Sequence, residues 1–581
     1  MKSAKILKAF EYVLTAGLAL SVTAAARAQL VNGVAAGETT SSSSLLWARS
    51  LSAGTVNFEV ATDAAFTNIV SSRSATVADV TAPAKVAVNG LTAGTQYYYR
   101  ATDASGGTAS GAFRTARDSG RAGFRMGVSG DWRGELAPYP ALRNVAGANL
   151  DMWMNLGDTI YADVSSPAVS GQAQTLSQFR AKHNEVLSDH LGMNVHRDIR
   201  QSTTVYATID DHEVTNDFAG GAPASSDPRF GTTSGLINQT SMFNNGLQAF
   251  QEYHPMEHRV WSGTGDARME GRPDLYRSQR FGQDAQFFSV DARSFRDQEL
   301  PGANPADPST FPGYVASTFT PGRTMLGNAQ VDRLKADLSA AQASGVTWKF
   351  VMMPEPIQNL GVLSASDRYE GYAAERNALL RYIDQNDIDN VVFISADIHG
   401  TLVNNLTYNN APFQPQIQSG AWEISTGSGA YAAPFGPTVA GLAASLGLPG
   451  SIPLSTYLAL PAMQQEGYIQ AIVNSGLQGL GYDLLGLQGS GIPHQLLQGT
   501  WTATNSFGWT QFDVDPITQR LTVTTWGTPW YDAAFLQANP AVVANMQPQI
   551  LQQFTVDAIP SPGAATLLAM AALRGGRRRR R

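Results

Sequence analysis

Seven side chains in this sequence have the types and placing that metal-assisted hydrolysis requires: Asp131, Asp158, Tyr161, Asp211, His212, Asp397 and His399. Their clusters follow short apolar runs. Residues 124–128 lead to Ser129-Gly130-Asp131, and 152–156 to Gly157-Asp158. Residues 204–209 lead to Asp210-Asp211-His212-Glu213, and 391–395 to Asp397-Ile398-His399. A phosphoric ester is an anion, so its hydrolysis calls for a hydroxide made near neutral pH and for neutralisation of growing charge. Two cations about 3.5–4 Å apart do both when one carboxylate bridges them. Gly157 allows a tight turn after its strand, which puts Asp158 at the tip. Tyr161, three residues on, is expected one helical turn away and facing the same centre.

The elements that must carry these residues are legible from periodicity. The apolar runs read as buried strands, and they alternate with helical stretches such as 330–343, where Val331, Leu334, Leu338 and Ala341 recur at helical spacing. That alternation predicts an α/β architecture, whose ligands sit beyond the carboxyl ends of the strands. Every polar cluster above falls at such an end. Of the 581 residues 43% are hydrophobic, which excludes a disordered chain, and the length suggests more than one unit. The absence of cysteine excludes disulfide scaffolds, zinc fingers, iron–sulfur clusters and a thiol nucleophile. The formal charge of -7 hides two basic ends, Lys2, Lys5, Lys8 and Arg27 at one and Arg574 with Arg577 to Arg581 at the other. The body between them is more acidic still, so binding along a nucleic acid is not expected.

Residues 1–28 combine early lysines, an apolar run and Ala26-Arg27-Ala28, the plan of a cleaved signal peptide. At the other end, 559–581 resembles a bacterial PEP-CTERM sorting tail, with Ser561 where the namesake motif has Glu. These two segments imply export to the periplasm, surface or exterior of a Gram-negative bacterium, with transient contact between the tail and a sorting machinery. Residues 30–117 read as small antiparallel strands; Leu91 to Tyr99 resembles the turn and tyrosine-bearing strand of a fibronectin type III sandwich. A catalytic unit is expected over 118–535, with an apolar, glycine-rich insertion at 440–500, and 536–558 is expected to be a linker.

Together the motifs resemble the alkaline phosphatase D (PhoD-like) family of calcineurin-like metallophosphoesterases. The matching pieces are Gly157-Asp158-Thr159-Ile160-Tyr161, residues 210–216 (DDHEVTN), residues 290–297 (VDARSFRD), Met325-Leu326-Gly327, Trp348-Lys349 and residues 395–399 (SADIH). The resemblance implies a metallophosphoesterase β-sandwich flanked by helices, preceded by the small all-β domain. It implies a phosphomonoesterase or phosphodiesterase acting on a small phosphoester through a metal-bound hydroxide. The centre would be dinuclear or trinuclear, with ferric iron and calcium. Asp158 would bridge, Tyr161 would bind iron as phenolate, and Asp211, Asp397 and His399 would be ligands, with His212 contacting phosphate. Where the family places an iron-binding cysteine this chain has Asp131, an oxygen donor that still suits hard cations.

Arg293 is expected to hold a phosphate oxygen, with an ion pair to Asp291 or Asp297 as the alternative. Asn216 and Glu355 are weaker candidates, and the remaining histidines are expected in surface or core roles. Two other classes stay open: a purple-acid-type phosphatase or a phosphodiesterase acting on lipid or nucleic-acid ends, and a non-enzymatic surface protein keeping an inactive phosphatase core.

Overall fold

A strand covered on both faces reads as a near-continuous apolar run. Met152–Leu156, Thr204–Thr208, Trp348–Met352 and Val391–Ser395 are buried at every residue. The computed structural model describes residues 30–560 apart from 232–233, 305–306 and 363. The leader 1–28, and the tail beyond 560, lie outside the described residues.

Alternation lets each of these strands feed two cores. Met152, Met154 and Leu156 enter the core between two large sheets, whereas Trp153 enters an outer core. Phe350 and Met352 likewise point inwards and Val351 outwards. The outer core of the first sheet is closed by Phe179, Ile199, Phe243 and Phe250 from three helices. The helices Asn328–Ala343 and Ala373–Gln385 cover the second sheet with Leu334, Leu338, Leu379 and Ile383. The result is a sandwich of two mixed sheets between helical layers, as the α/β reading anticipates.

The first sheet has eleven strands and the second seven. In the first, Phe124–Trp132, Met152–Leu156 and Thr204–Thr208 run parallel. In the second, Ala285–Ser289, Trp348–Met352, Val391–Ser395 and Ile417–Ser425 do so. The carboxyl ends of both parallel sets open on one rim.

The amino-terminal unit packs as a β-sandwich, but one of its sheets is shared. Gly54–Ala61, Ile69–Val77, Gln96–Thr102 and Thr108–Arg114 form a separate four-stranded sheet. Val34–Gly37, Ser43–Ala48 and Ala84–Asn89 instead extend the eleven-stranded sheet, joined through the parallel register Ala36 to Thr204. Pairing there caps an edge that would otherwise lie open.

The stretch 536–558 is not a linker. It completes a helix at Ala533–Ala538, forms a second at Pro540–Ala544, and ends in the strand Gln549–Val556. That strand lies between Leu521–Pro529 and His494–Gln498, and Phe554 and Val556 enter the central core, which is why it cannot be free. The expected insertion is helical, with Phe435–Leu446, Leu454–Leu458 and Ala462–Gly479, and its last part returns to the sheet as His494–Gln498. Among the described residues no helix is long and apolar enough to cross a membrane.

At the pole opposite the rim the chain is pinned by a reciprocal pair. The Ile559 N–H donates to Asn390 Oδ1 at 2.7 Å, and Asn390 Nδ2 donates to the Ile559 carbonyl at 2.9 Å. Asn390 precedes the strand whose far end leads to Asp397, roughly 20 Å away at strand rise.

Candidate metal centre

The rim gathers all seven residues of the opening set. Asp131, Asp158, Asp397 and His399 share an unusual backbone: their φ angles are +62°, +49°, +62° and +57°. Non-glycine residues rarely take this left-handed conformation, and such positions tend to serve function. Here the reversed turn at a strand end swings each side chain over the rim rather than into a core. Residues 157–161 form bends, not a helical turn, so Tyr161 arrives by a route different from the expected one. It nevertheless reaches the centre, with its Oη 3.3 Å from His399 Nε2.

Two ligand groups meet at one carboxylate. Oxygen or nitrogen atoms of Asp131, Asp158 and His399 lie within 4.8 Å of one another, and so do those of Asp158, Asp211 and His212. Asp158 belongs to both. A third group joins Asp210, Glu355 and Asp397. Both Asp131 carboxylate oxygens and Asp211 Oδ1 are buried without a hydrogen-bond partner. Burial, followed by the charges of Asp211, Asp210 and Asp131, pushes the Asp158 carboxyl well above the usual range. Burial and the neighbouring Asp210 do the same to Asp131. Carboxylates crowded in this way are charged together only beside cations, and an all-oxygen-and-nitrogen donor set suits hard ions.

The two histidines are held differently. His212 Nδ1 lies 2.6 Å from Asp163 Oδ1, and its Nε2 is 3.9 Å from Asp211 Oδ1. Burial would depress this imidazole, but Asp211 and then Asp163 raise it to about 9. His399 stacks on Tyr431 with centroids 3.4 Å apart and planes 6° from parallel. Burial, with His212 and Arg133 nearby, drives it well below its ordinary value, so it is a neutral donor.

Arg293 is not placed to meet a substrate. It is wholly buried: Nε donates to Asp210 at 2.6 Å, Nη1 to Asp367 at 2.6 Å, and Nη2 pairs with Glu355. Neither expected ion-pair partner, Asp291 or Asp297, holds its guanidinium. Arg296 bridges the same Glu355 and Asp367, at 2.7 Å each. This pair of arginines fixes the carboxylates behind the centre. Glu355 therefore lies in the third carboxylate group, and Asn216 is a rim residue whose N–H donates to Asp163.

Four contributors escaped the sequence reading. Asp163 lies two residues after Tyr161, in a spacing shared by many loops. Glu213 binds Thr159 N–H and Oγ1 at 2.6 Å each and the Asp210 N–H at 2.8 Å, clamping two ligand loops together. Its place in the DDHE run was a usable signal. Asp367 and Tyr431 come from segments without a motif, and nothing local marks them.

A two-sheet α/β sandwich whose strand ends gather carboxylates, a tyrosine and histidines is the architecture of the calcineurin-like metallophosphoesterase class. The family model described as PhoD-like phosphatase matches residues 128–475, and that of the PhoD-like phosphatase N-terminal domain matches 17–117. The chain belongs to the PhoD-like phosphatase family. It is 26% identical over 407 residues to Alkaline phosphatase D of Bacillus subtilis (strain 168), covering 64% of this chain and 65% of that protein. The chain thus matches somewhat less than two thirds of that relative's length. A solved structure titled "Structure of PhoD" superposes with a TM-score of 0.65 at 19% identity, covering 92% of each chain, and shares the fold.

Proposed function

We propose that this protein is an exported, metal-dependent hydrolase of phosphoric esters, working on a small phosphomonoester or phosphodiester at the strand-end rim. The observation that carries this reading is the sharing of Asp158 between two ligand groups, the arrangement a bridging carboxylate requires. Asp131, Tyr161 and His399 would hold one ion and Asp211 the other, with Asp397 toward the third carboxylate group. Bound ions supply an activated nucleophile and neutralise charge building on the phosphate. Ferric iron and calcium fit a donor set in which Asp131 replaces sulfur by oxygen.

The chain's own groups orient the rest. Asp163 holds Nδ1 of His212, so Nε2 faces the centre and donates to a phosphate oxygen or the leaving group. Arg293 and Arg296 hold Asp210, Glu355 and Asp367 in place without touching substrate.

Elemental analysis of the purified protein, paired with phosphate release from mono- and diester chromogenic substrates, tests the reading. Bound metal with turnover is expected; a metal-free protein, or one without turnover on either substrate, overturns it. Ferric iron on Tyr161 would give a visible charge-transfer band that Tyr161→Phe removes. A colourless, iron-free and fully active enzyme would refute the iron assignment.

A further inference from the structure

An arginine-lined cavity lies far from the rim. A cavity of about 340 Å³ opens at the seam between the amino-terminal unit and the catalytic sandwich, and Arg114, Arg117 and Arg125 line it with Asn149, Asp151 and Asp513. Arg125 is committed: its Nε pairs with Asp513 and its Nη1 donates to the Ala148 carbonyl at 3.1 Å. Arg114 and Arg117 are not. Among the described residues neither guanidinium makes a hydrogen bond or an ion pair, and both act on Asp151 only through space. Asn149, held at φ +53° on the cavity wall, has no side-chain partner either. Asp151 already accepts the Arg125 N–H at 2.9 Å.

Three arginines against two aspartates leave an excess of positive charge in a wall of a protein whose net charge is -7. Two forked donors and a carboxamide lining one open cavity match an oxyanion with several acceptor oxygens. Its volume is at the lower end of the range for small-molecule sites, and junctions between units are favoured places for them. Arg125 and Asp151 sit at the starts of strands whose far ends lead to Asp131 and Asp158, so the cavity is roughly 20 Å from the candidate centre. An ion held here would meet Arg114 and Arg117 from one unit and the Asn149 carboxamide from the other.

We propose that this cavity binds a small phosphate-type oxyanion, separate from the hydrolytic centre, and that the bound ion ties the amino-terminal unit to the catalytic sandwich. The ion could be inorganic phosphate or the phosphate group of a larger molecule.

The test uses the full chain carrying Asp158→Asn, which disables the centre. Equilibrium dialysis with labelled inorganic phosphate should find close to one ion per chain, and adding Arg114→Gln with Arg117→Gln should weaken that binding at least about tenfold. Glycerol phosphate competing as well as phosphate would assign the site to phosphorylated molecules, and failure to compete would assign it to free phosphate. Absence of binding in the Asp158→Asn protein, or affinity unchanged by the arginine replacements, overturns the proposal. Because Arg114 and Arg117 hold no described residue, the Arg114→Gln, Arg117→Gln protein with Asp158 intact should fold and turn over substrate normally. If Asp158→Asn keeps full hydrolysis, the reading of the centre fails while the arginine-dependent binding still stands.

Discussion

Asp163 Oδ1 lies 2.6 Å from His212 Nδ1, and the second oxygen of that carboxylate accepts the Asn216 N–H at 2.9 Å. The carboxylate is therefore fixed at both ends, and it fixes the ring in turn. Asp163→Asn should lower kcat by about 10- to 100-fold with little change in KM, since such orienting partners typically matter to that extent. Steady-state kinetics with a melting curve checks this. Wild-type turnover in Asp163→Asn would show that the His212 orientation is not used.

Removing metal should unmask the repulsion among the rim carboxylates. An ion present at a hundred times its dissociation constant contributes ~2.7 kcal/mol, so chelation should lower the melting temperature of the wild type. Asp131→Asn removes one buried charge from the crowd, and the chelated variant should melt no lower than the chelated wild type. A chelated Asp131→Asn protein that melts clearly below chelated wild type would contradict the crowding argument.

Gly157 stands at φ +76°, and a Cβ there would lie 2.7 Å from the Asp210 Cβ and 3.1 Å from the Asp210 nitrogen. Gly157→Ala combines an unfavourable backbone with a clash against a ligand loop, so a loss of about 2–3 kcal/mol is expected. Urea unfolding measures it, and hydrolysis should fall with it because Asp158 and Asp211 are displaced together. Unchanged stability would mean that the turn is looser than the structure has it.

Most of the parallel strands, and the order of the ligand clusters along them, were legible because a strand covered on both faces is a near-continuous apolar run. Asp158 was readable for the same reason, since a polar residue just past such a run has the rim to occupy, whereas the ligand role expected of His399 came from the resemblance of SADIH to the family motif. Arg293 was misplaced because a sequence cannot distinguish an arginine facing substrate from one enclosed by Asp210, Glu355 and Asp367, which come from three distant segments. The 536–558 stretch was misread because its glutamines and asparagines mask Phe554 and Val556, and only pairing with Leu521–Pro529 makes it a strand. The shared sheet of the amino-terminal unit depends on Ala36 meeting Thr204, a register that leaves no local trace.

Acid should loosen the protein through its buried neutral histidines. His183 and His196 are 2% and 4% exposed, and burial, aided by Arg200, lowers each to about 3. In the unfolded chain they take up protons near pH 6.5. Stability from this source is therefore complete above about 6.5 and is lost as pH falls from there toward 3. At pH 4.5 the loss should be roughly 2–3 kcal/mol for each ring. Urea midpoints at pH 7 and 4.5 test this, and His183→Gln should show the smaller difference between the two. Equal differences in wild type and variant would exclude His183 from the acid response.

The reciprocal grip between Asn390 and Ile559 decides how the molecule can be mounted. Whatever is fixed to the chain beyond residue 560, whether a bead, a sorting enzyme or a cell envelope, is tethered at the floor of the sandwich. The mouth lies at the opposite pole, so protein immobilised by its carboxyl terminus should remain open to dissolved phosphoesters.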